Sequence, residues 1–129
     1  MKEFGLKDFQ TAGIAGNLGH ESNGFHALIE IRGSGGRGWA QWSGSRRGQF
    51  LSWAKAHGLD WKSEDANIGF LVHELKGPYG SSIHAVEKSP TLRAATIAFE
   101  RNYERAGIIH MESRVAWAKK ALAAYRKAK

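Results

Sequence analysis

The chain has 129 residues, 42% of them hydrophobic and 24% charged, which predicts one domain over residues 1–129 with apolar area enough for a core. It has no cysteine, which excludes disulfides, thiolate nucleophiles and cysteine-ligated zinc. Nineteen Lys and Arg against twelve Asp and Glu leave a net charge of +7, a field that favours polyanions.

Helical punctuation dominates. Residues 7–20 predict a first helix, with Ile14, Leu18 and Glu21 on one side at spacings of four and three. Gly13 and Gly16 would allow a neighbour to pack closely, at about 1 kcal/mol each in helix propensity. Residues 26–32 break the pattern: Ala27, Ile29 and Ile31 alternate with Leu28, Glu30 and Arg32, as in a strand. The glycine-rich stretch 33–38 predicts a turn, with Trp39-Ala40-Gln41-Trp42 returning as the second strand of a small β-hairpin.

Ser45 is placed to cap a second helix reaching His57, with Gly58 as its stop. Ser63 before Glu64 and Asp65 opens a third, with Ile68, Leu71, Val72 and Leu75 as its apolar stripe and Gly77-Pro78 as its end. A short helix is expected over 81–87. Ser89-Pro90 predicts the cap and first turn of a helix that aligns Leu92, Ala95, Phe99 and Tyr103 and ends at Gly107. The last helix, over 111–126, aligns Met111, Val115, Ala118, Leu122 and Tyr125 as core, with basic charges outward. The fold class is mainly α, about six helices with one small β-hairpin in the N-terminal third. No apolar run approaches the roughly 20 residues of a membrane span, and the first ten residues lack the apolar stretch of a signal peptide.

The charge is uneven. From Ser113 onward Arg114, Lys119, Lys120, Arg126, Lys127 and Lys129 meet no acid, a tail of +6 that leaves +1 for the rest. Such a helix face is either simply solvated or a contact for an anionic polymer or membrane surface.

Glu21 is the residue that asks for an explanation. It ends the first helix, just before Ser22-Asn23-Gly24, on the same side as Ile14 and Leu18. Burial and the negative end of the helix dipole both disfavour a carboxylate there. A carboxyl that keeps its proton near neutral pH can serve as a general acid. The plain alternative is an exposed glutamate in a frayed last turn.

Three stretches occur in order: His20-Glu21-Ser22-Asn23-Gly24-Phe25, Gly38-Trp39-Ala40-Gln41-Trp42, and Asn102-Tyr103-Glu104-Arg105-Ala106-Gly107. Together they resemble the lysozyme-like superfamily of peptidoglycan-cleaving enzymes, and within it the single-domain phage endolysins and phage-tail lysozymes. The resemblance runs from about residue 11 to 122. It implies an α+β lysozyme-like fold and a glycoside hydrolase of the lysozyme type, acting on the peptidoglycan glycan strand. Glu21 would protonate the oxygen of the β-1,4 bond between N-acetylmuramic acid and N-acetylglucosamine. Gln41 would lie on the cleft side of the hairpin, and Tyr103 would match the late tyrosine that approaches the acid.

Glycosidases commonly add a second carboxylate, about 5 Å away for retention or about 6.5–9.5 Å for inversion. Glu30, on the polar face of the predicted hairpin beside Arg32, is the candidate; a surface pair with Arg32 or Arg37 is its alternative. Some relatives use no second carboxylate and act as lytic transglycosylases at the same bond. Gln41 offers a donor and an acceptor to sugar groups. The Trp39 indole can stack on a sugar ring, with one of Trp39 and Trp42 needed for the core. Tyr103 also completes the Leu92–Phe99 stripe, so core and function compete for it. Glu100 and Glu104 read as helix-surface partners of Arg101, Arg105 or Lys88.

No cofactor or metal is expected. The 33–38 glycines lack the G-x-x-x-x-G-K-[ST] pattern, and His73-Glu74 lacks the second histidine of a zinc-protease helix. A non-catalytic module that binds nucleic acid or an anionic envelope is the rival reading, and nucleic acid is not required by the first. The expected protein is a monomer without a transmembrane segment. Its expected route is synthesis in the bacterial host cytoplasm without a signal peptide, then action on the wall, as endolysin or virion-tail enzyme.

Overall fold

The computed structural model describes residues 4–22, 37–105 and 109–128. Six α-helices follow in order: α1 (Asp8–Glu21), α2 (Gly44–Ala56), α3 (Glu64–Lys76), α4 (Gly80–Glu87), α5 (Leu92–Phe99) and α6 (Met111–Ala128). A π-helical turn, Glu100–Glu104, continues α5 directly.

Among the described residues there is no strand, only an isolated antiparallel bridge between Arg37 and Trp42. The expected return strand at 39–42 is therefore corrected to a tight turn. Gly38 at φ 79° and Gln41 at φ 54° curl the chain, and the amide of Gln41 donates to the Gly38 carbonyl at 3.0 Å. The Trp39 amide, which a strand would spend on a neighbour, donates to Asn67 Oδ1 at 2.8 Å. Gly38 is required twice over: besides its left-handed φ, a Cβ there would stand 2.7 Å from Asn67 Oδ1 and from the Trp42 ring. The first expected strand, 26–32, with Glu30, lies outside the described residues.

Helix α1 packs against both α5 and α6. Its Ala-Gly-Ile-Ala-Gly run makes that approach possible. A Cβ on Gly13 would come within 2.8 Å of the Thr96 amide, and one on Gly16 within 2.5 Å of the Arg114 carbonyl. The glycines weaken the isolated helix but let backbones approach where a methyl group would collide. Ile14 and Leu18 face the core as their spacing predicts.

The caps match the sequence signals at α3 but are displaced at two helices. Ser45, expected to cap α2, lies inside it, and the N-cap is Ser43, which makes no side-chain cap hydrogen bond. Ser63 Oγ accepts from the Ala66 amide at 3.1 Å and starts α3. Helix α5 begins at Thr91 rather than Ser89: Thr91 Oγ1 accepts from the Ala94 amide, while Ser89 Oγ donates to the Ala85 carbonyl and closes α4. On α3 the core positions are Phe70, Leu71 and Leu75 with the polar Asn67 and Glu74, and Ile68 faces solvent. The expected Ile68–Val72 edge of the stripe is displaced because the inward face carries hydrogen-bonding work. Trp42, Phe50 and Phe70 form an aromatic cluster with ring centroids 4.5–5.3 Å apart. Each such ring, fully buried, contributes about 1.5–3 kcal/mol. On α6, Val115 and Ala118 are buried as expected and Tyr125 is exposed. No helix among the described residues is long and apolar enough to cross a membrane.

Candidate active site

Glu21 ends α1 with its side chain 20% exposed, and Arg114 of α6, only 1% exposed, donates from Nη2 to Glu21 Oε1 at 2.7 Å. The close approach at Gly16 brings the start of α6 against this end of α1. The Arg114 guanidinium is held on its other sides by Asn17 Oδ1 at 3.1 Å and the Ile109 carbonyl at 2.7 Å. Asn17, one turn before Glu21 and wholly buried, donates to the carbonyls of Gly13 and Thr96. An aligned series thus runs from α5 through Asn17 and Arg114 to Glu21. Ser22, next in the chain, donates from Oγ to the Leu18 carbonyl and closes the helix.

A second carboxyl bears on Glu21 from the π-turn. Glu104 Oε1 is buried and has no hydrogen-bond partner among the described residues. Burial first, and then the negative charge of Glu21, push the Glu104 carboxyl well above the usual carboxylate range. Arg114 and Arg46 pull in the other direction, and Glu100 adds to the rise. The π-turn creates this placement. The Arg105 amide reaches back five residues to the Glu100 carbonyl at 2.6 Å, so the residues after Phe99 are wound more widely than in an α-helix.

Beside it lies a network centred on Glu74 of α3, which is 2% exposed. Arg46 binds it in two places, Nη2 to Oε1 at 2.8 Å and Nε to Oε2 at 3.1 Å. Trp42 Nε1 donates to Glu74 Oε1 at 2.9 Å, and the Tyr103 hydroxyl donates to the same oxygen. The guanidinium of Arg46 lies between the rings of Tyr79 and Tyr103, 4.1 and 4.5 Å from their centroids. Burial alone would lower the Arg46 group, but the hydrogen bond and charge of Glu74, with Tyr103, carry it above its ordinary value. Burial, then the charge of Glu74, raises the Tyr103 hydroxyl well above its own.

The sequence candidates are distributed unevenly around these networks. Gln41 is 8% exposed and donates from Nε2 to the Gly38 carbonyl at 2.8 Å, in a left-handed conformation unusual for a side-chain-bearing residue. Trp39 is half-buried and Trp42 is the core indole, which resolves the choice between the two. Tyr103 is fully buried with its hydroxyl on Glu74, so of its two readings the core one describes its position. Glu30 falls outside the described residues.

Glu100 and Glu104 are not the surface partners expected of them. Glu100 is 2% exposed and the Glu104 carboxyl faces inward. Arg114, Glu74 and Glu104 were missed by sequence reasoning. For Arg114 a signal existed, since it precedes core Val115 and lies four before core Ala118. For Glu104 there was none, because α-helical spacing does not foresee a π-turn.

A groove of about 270 Å³ between α1 and α6, lined by Leu6, Ala12, Ala15 and Tyr125, lies along the first half of α1 and does not include Glu21. Among the described residues, no group of three or more His, Asp and Glu is placed to hold a metal ion.

The family model for phage tail lysozyme matches residues 1–125, and the chain belongs to that family. Its function is accordingly lysozyme-like and directed at peptidoglycan. Among curated proteins no match is found.

Proposed function

We propose that this phage tail lysozyme family member is a muramidase, hydrolysing the β-1,4 bond between N-acetylmuramic acid and N-acetylglucosamine, with Glu21 as the general acid. The observation that carries the reading is the position of Glu21: a partly exposed carboxyl at the end of α1, fixed in orientation by the buried Arg114. A positioned acid of this kind contributes about 10²–10⁴-fold to the rate. One carboxylate oxygen is bound by Arg114, and among the described residues no other hydrogen bond holds the side chain. A leaving oxygen can therefore approach the remaining one.

Gln41 and Trp39 supply sugar contacts in this reading. The left-handed Gln41 is a strained position of the sort that persists where the surroundings demand it. Glu30 is the second carboxylate that attacks or activates water, and Tyr103 supports the site from within the core. One domain and one monomer suffice. The enzyme meets the wall as endolysin or tail component.

The test is Glu21→Gln on purified peptidoglycan, with release of fragments followed over time and products weighed. The expected result is loss of about a hundredfold or more in rate with the fold retained. A variant that keeps most of its activity removes Glu21 from the role of acid. Product mass decides the reaction: a fragment lighter by one water, an anhydro end, assigns a lytic transglycosylase instead. Binding of glycan without turnover by the unaltered protein assigns a non-catalytic module.

A further inference from the structure

We propose that Glu104 is a proton-holding partner of Glu21: the two carboxyls keep one proton between them, and Glu104 acts on the reaction through Glu21 rather than by touching the sugar. This rests on the reading of Glu21 as the acid.

Three placements support it. Glu104 Oε1 is buried without a hydrogen-bond partner among the described residues, and a bare buried oxygen is costly unless it carries or receives a proton. Arg114 uses Nη2 on Glu21 Oε1, with Nη1 on Asn17 and Nε on the Ile109 carbonyl, and donates no hydrogen bond to Glu104. Glu21 and Arg114 both bear electrostatically on Glu104, and two carboxyls around one buried guanidinium balance its charge when one is ionised and the other protonated. The groups facing Glu104 are Glu21 of α1, Arg114 of α6, Arg46 of α2, and Glu100 of its own turn. Tyr103, beside it, feels its charge in return. The raised carboxyl accords with this arrangement.

The proton count closes over one turnover. The single proton passes from Glu104 to Glu21, and Glu21 gives it to the glycosidic oxygen as the carbon–oxygen bond breaks, leaving both carboxyls ionised beside Arg114. Water then adds to the anomeric carbon, and the proton it loses returns to the pair. Nothing beyond water is consumed.

The experiment has two arms on the full chain. In the first, carboxyl-carbon NMR titration of the unaltered protein should find one glutamate titrating well above the others. Glu21→Gln should bring that titration down, and Glu104→Gln should abolish it. In the second, the pH profile of peptidoglycan cleavage is compared between the unaltered protein and Glu104→Gln. The alkaline limb should move acidward by about one pH unit or more, with about a tenfold loss at neutral pH that is largely recovered in acid.

A uniform loss at every pH, an unmoved profile, or no elevated carboxyl overturns the proposal. Should Glu104→Gln fail to fold, the titration of the unaltered protein and of Glu21→Gln decides. Activity surviving Glu21→Gln sinks the reading of the acid, whereas an inactive Glu21→Gln with an unmoved Glu104→Gln profile sinks this proposal alone.

Discussion

Arg114, almost wholly excluded from solvent, donates to the Glu21 carboxylate at 2.7 Å across the α1–α6 contact. A buried cation of this kind depends on all its partners, and they on it. Arg114→Met should destabilise the protein by about 3 kcal/mol, the lower end for a broken buried ion pair, because Glu21 keeps some contact with water. Denaturant unfolding measures it. The same variant should lose activity even at temperatures where it remains folded, since the orientation of Glu21 goes with the guanidinium. An unchanged unfolding midpoint would show that α1 and α6 do not need this bond.

The Glu104 carboxyl should leave its mark on stability as a function of pH. Its folded value lies above that of an ordinary carboxyl, so between the two the folded state holds a proton that the unfolded chain has released. Stability from this group is therefore complete in acid and lost as pH rises above the usual carboxylate range. The slope approaches about 1.4 kcal/mol per pH unit for one proton. Glu104→Gln should flatten that decline, as read from unfolding free energies between mildly acidic and neutral pH. Equal slopes in both proteins would contradict the shift.

The Tyr103 hydroxyl donates to Glu74 and accepts from Trp42 Nε1 at 2.8 Å. Tyr103→Phe removes one bond from Glu74 but leaves it Trp42 and the two contacts of Arg46, so the cost should be about 1–2 kcal/mol. KM for soluble glycan fragments should stay near that of the unaltered protein. A large rise in KM with stability unchanged would instead return Tyr103 to the sugar.

The basic face of α6 is narrower than its composition suggests, because Arg114 is turned inward and neutralised. Lys119, Lys120, Arg126 and Lys127 remain exposed, with Lys120 over the Trp117 ring at 4.6 Å and Arg126 paired with Asp8 at 3.1 Å. We expect these charges to help the enzyme reach an anionic envelope. Replacing all four with Gln should lower activity on whole cells by about tenfold, an effect that weakens with salt, and leave activity on soluble fragments nearly intact. Equal losses on both substrates would remove the envelope role.

Helix periodicity and glycine stops were enough to place the six helices of the described residues, because each is a local property of spacing and side-chain chemistry. Two of the expected caps, Ser45 and Ser89, gave way to Ser43 and Thr91. Ile14, Leu18, Phe99 and Ala118 face inward as that spacing requires. Glu21 stood out for the same reason, as an acid at the wrong end of a helix on its apolar side. Its surroundings were another matter. Arg114 lies 93 residues away along the chain, and only the glycine-mediated contact of α1 with α6 brings it to Glu21. The inward aim of Glu104 depends on a π-turn, whose wider winding leaves no trace in a pattern read at 3.6 residues per turn. Local spacing thus settled which segments are helices and which carboxyl to suspect. Long-range packing chose the cation it meets and the second acid beside it, because charges find partners through space and not along the chain.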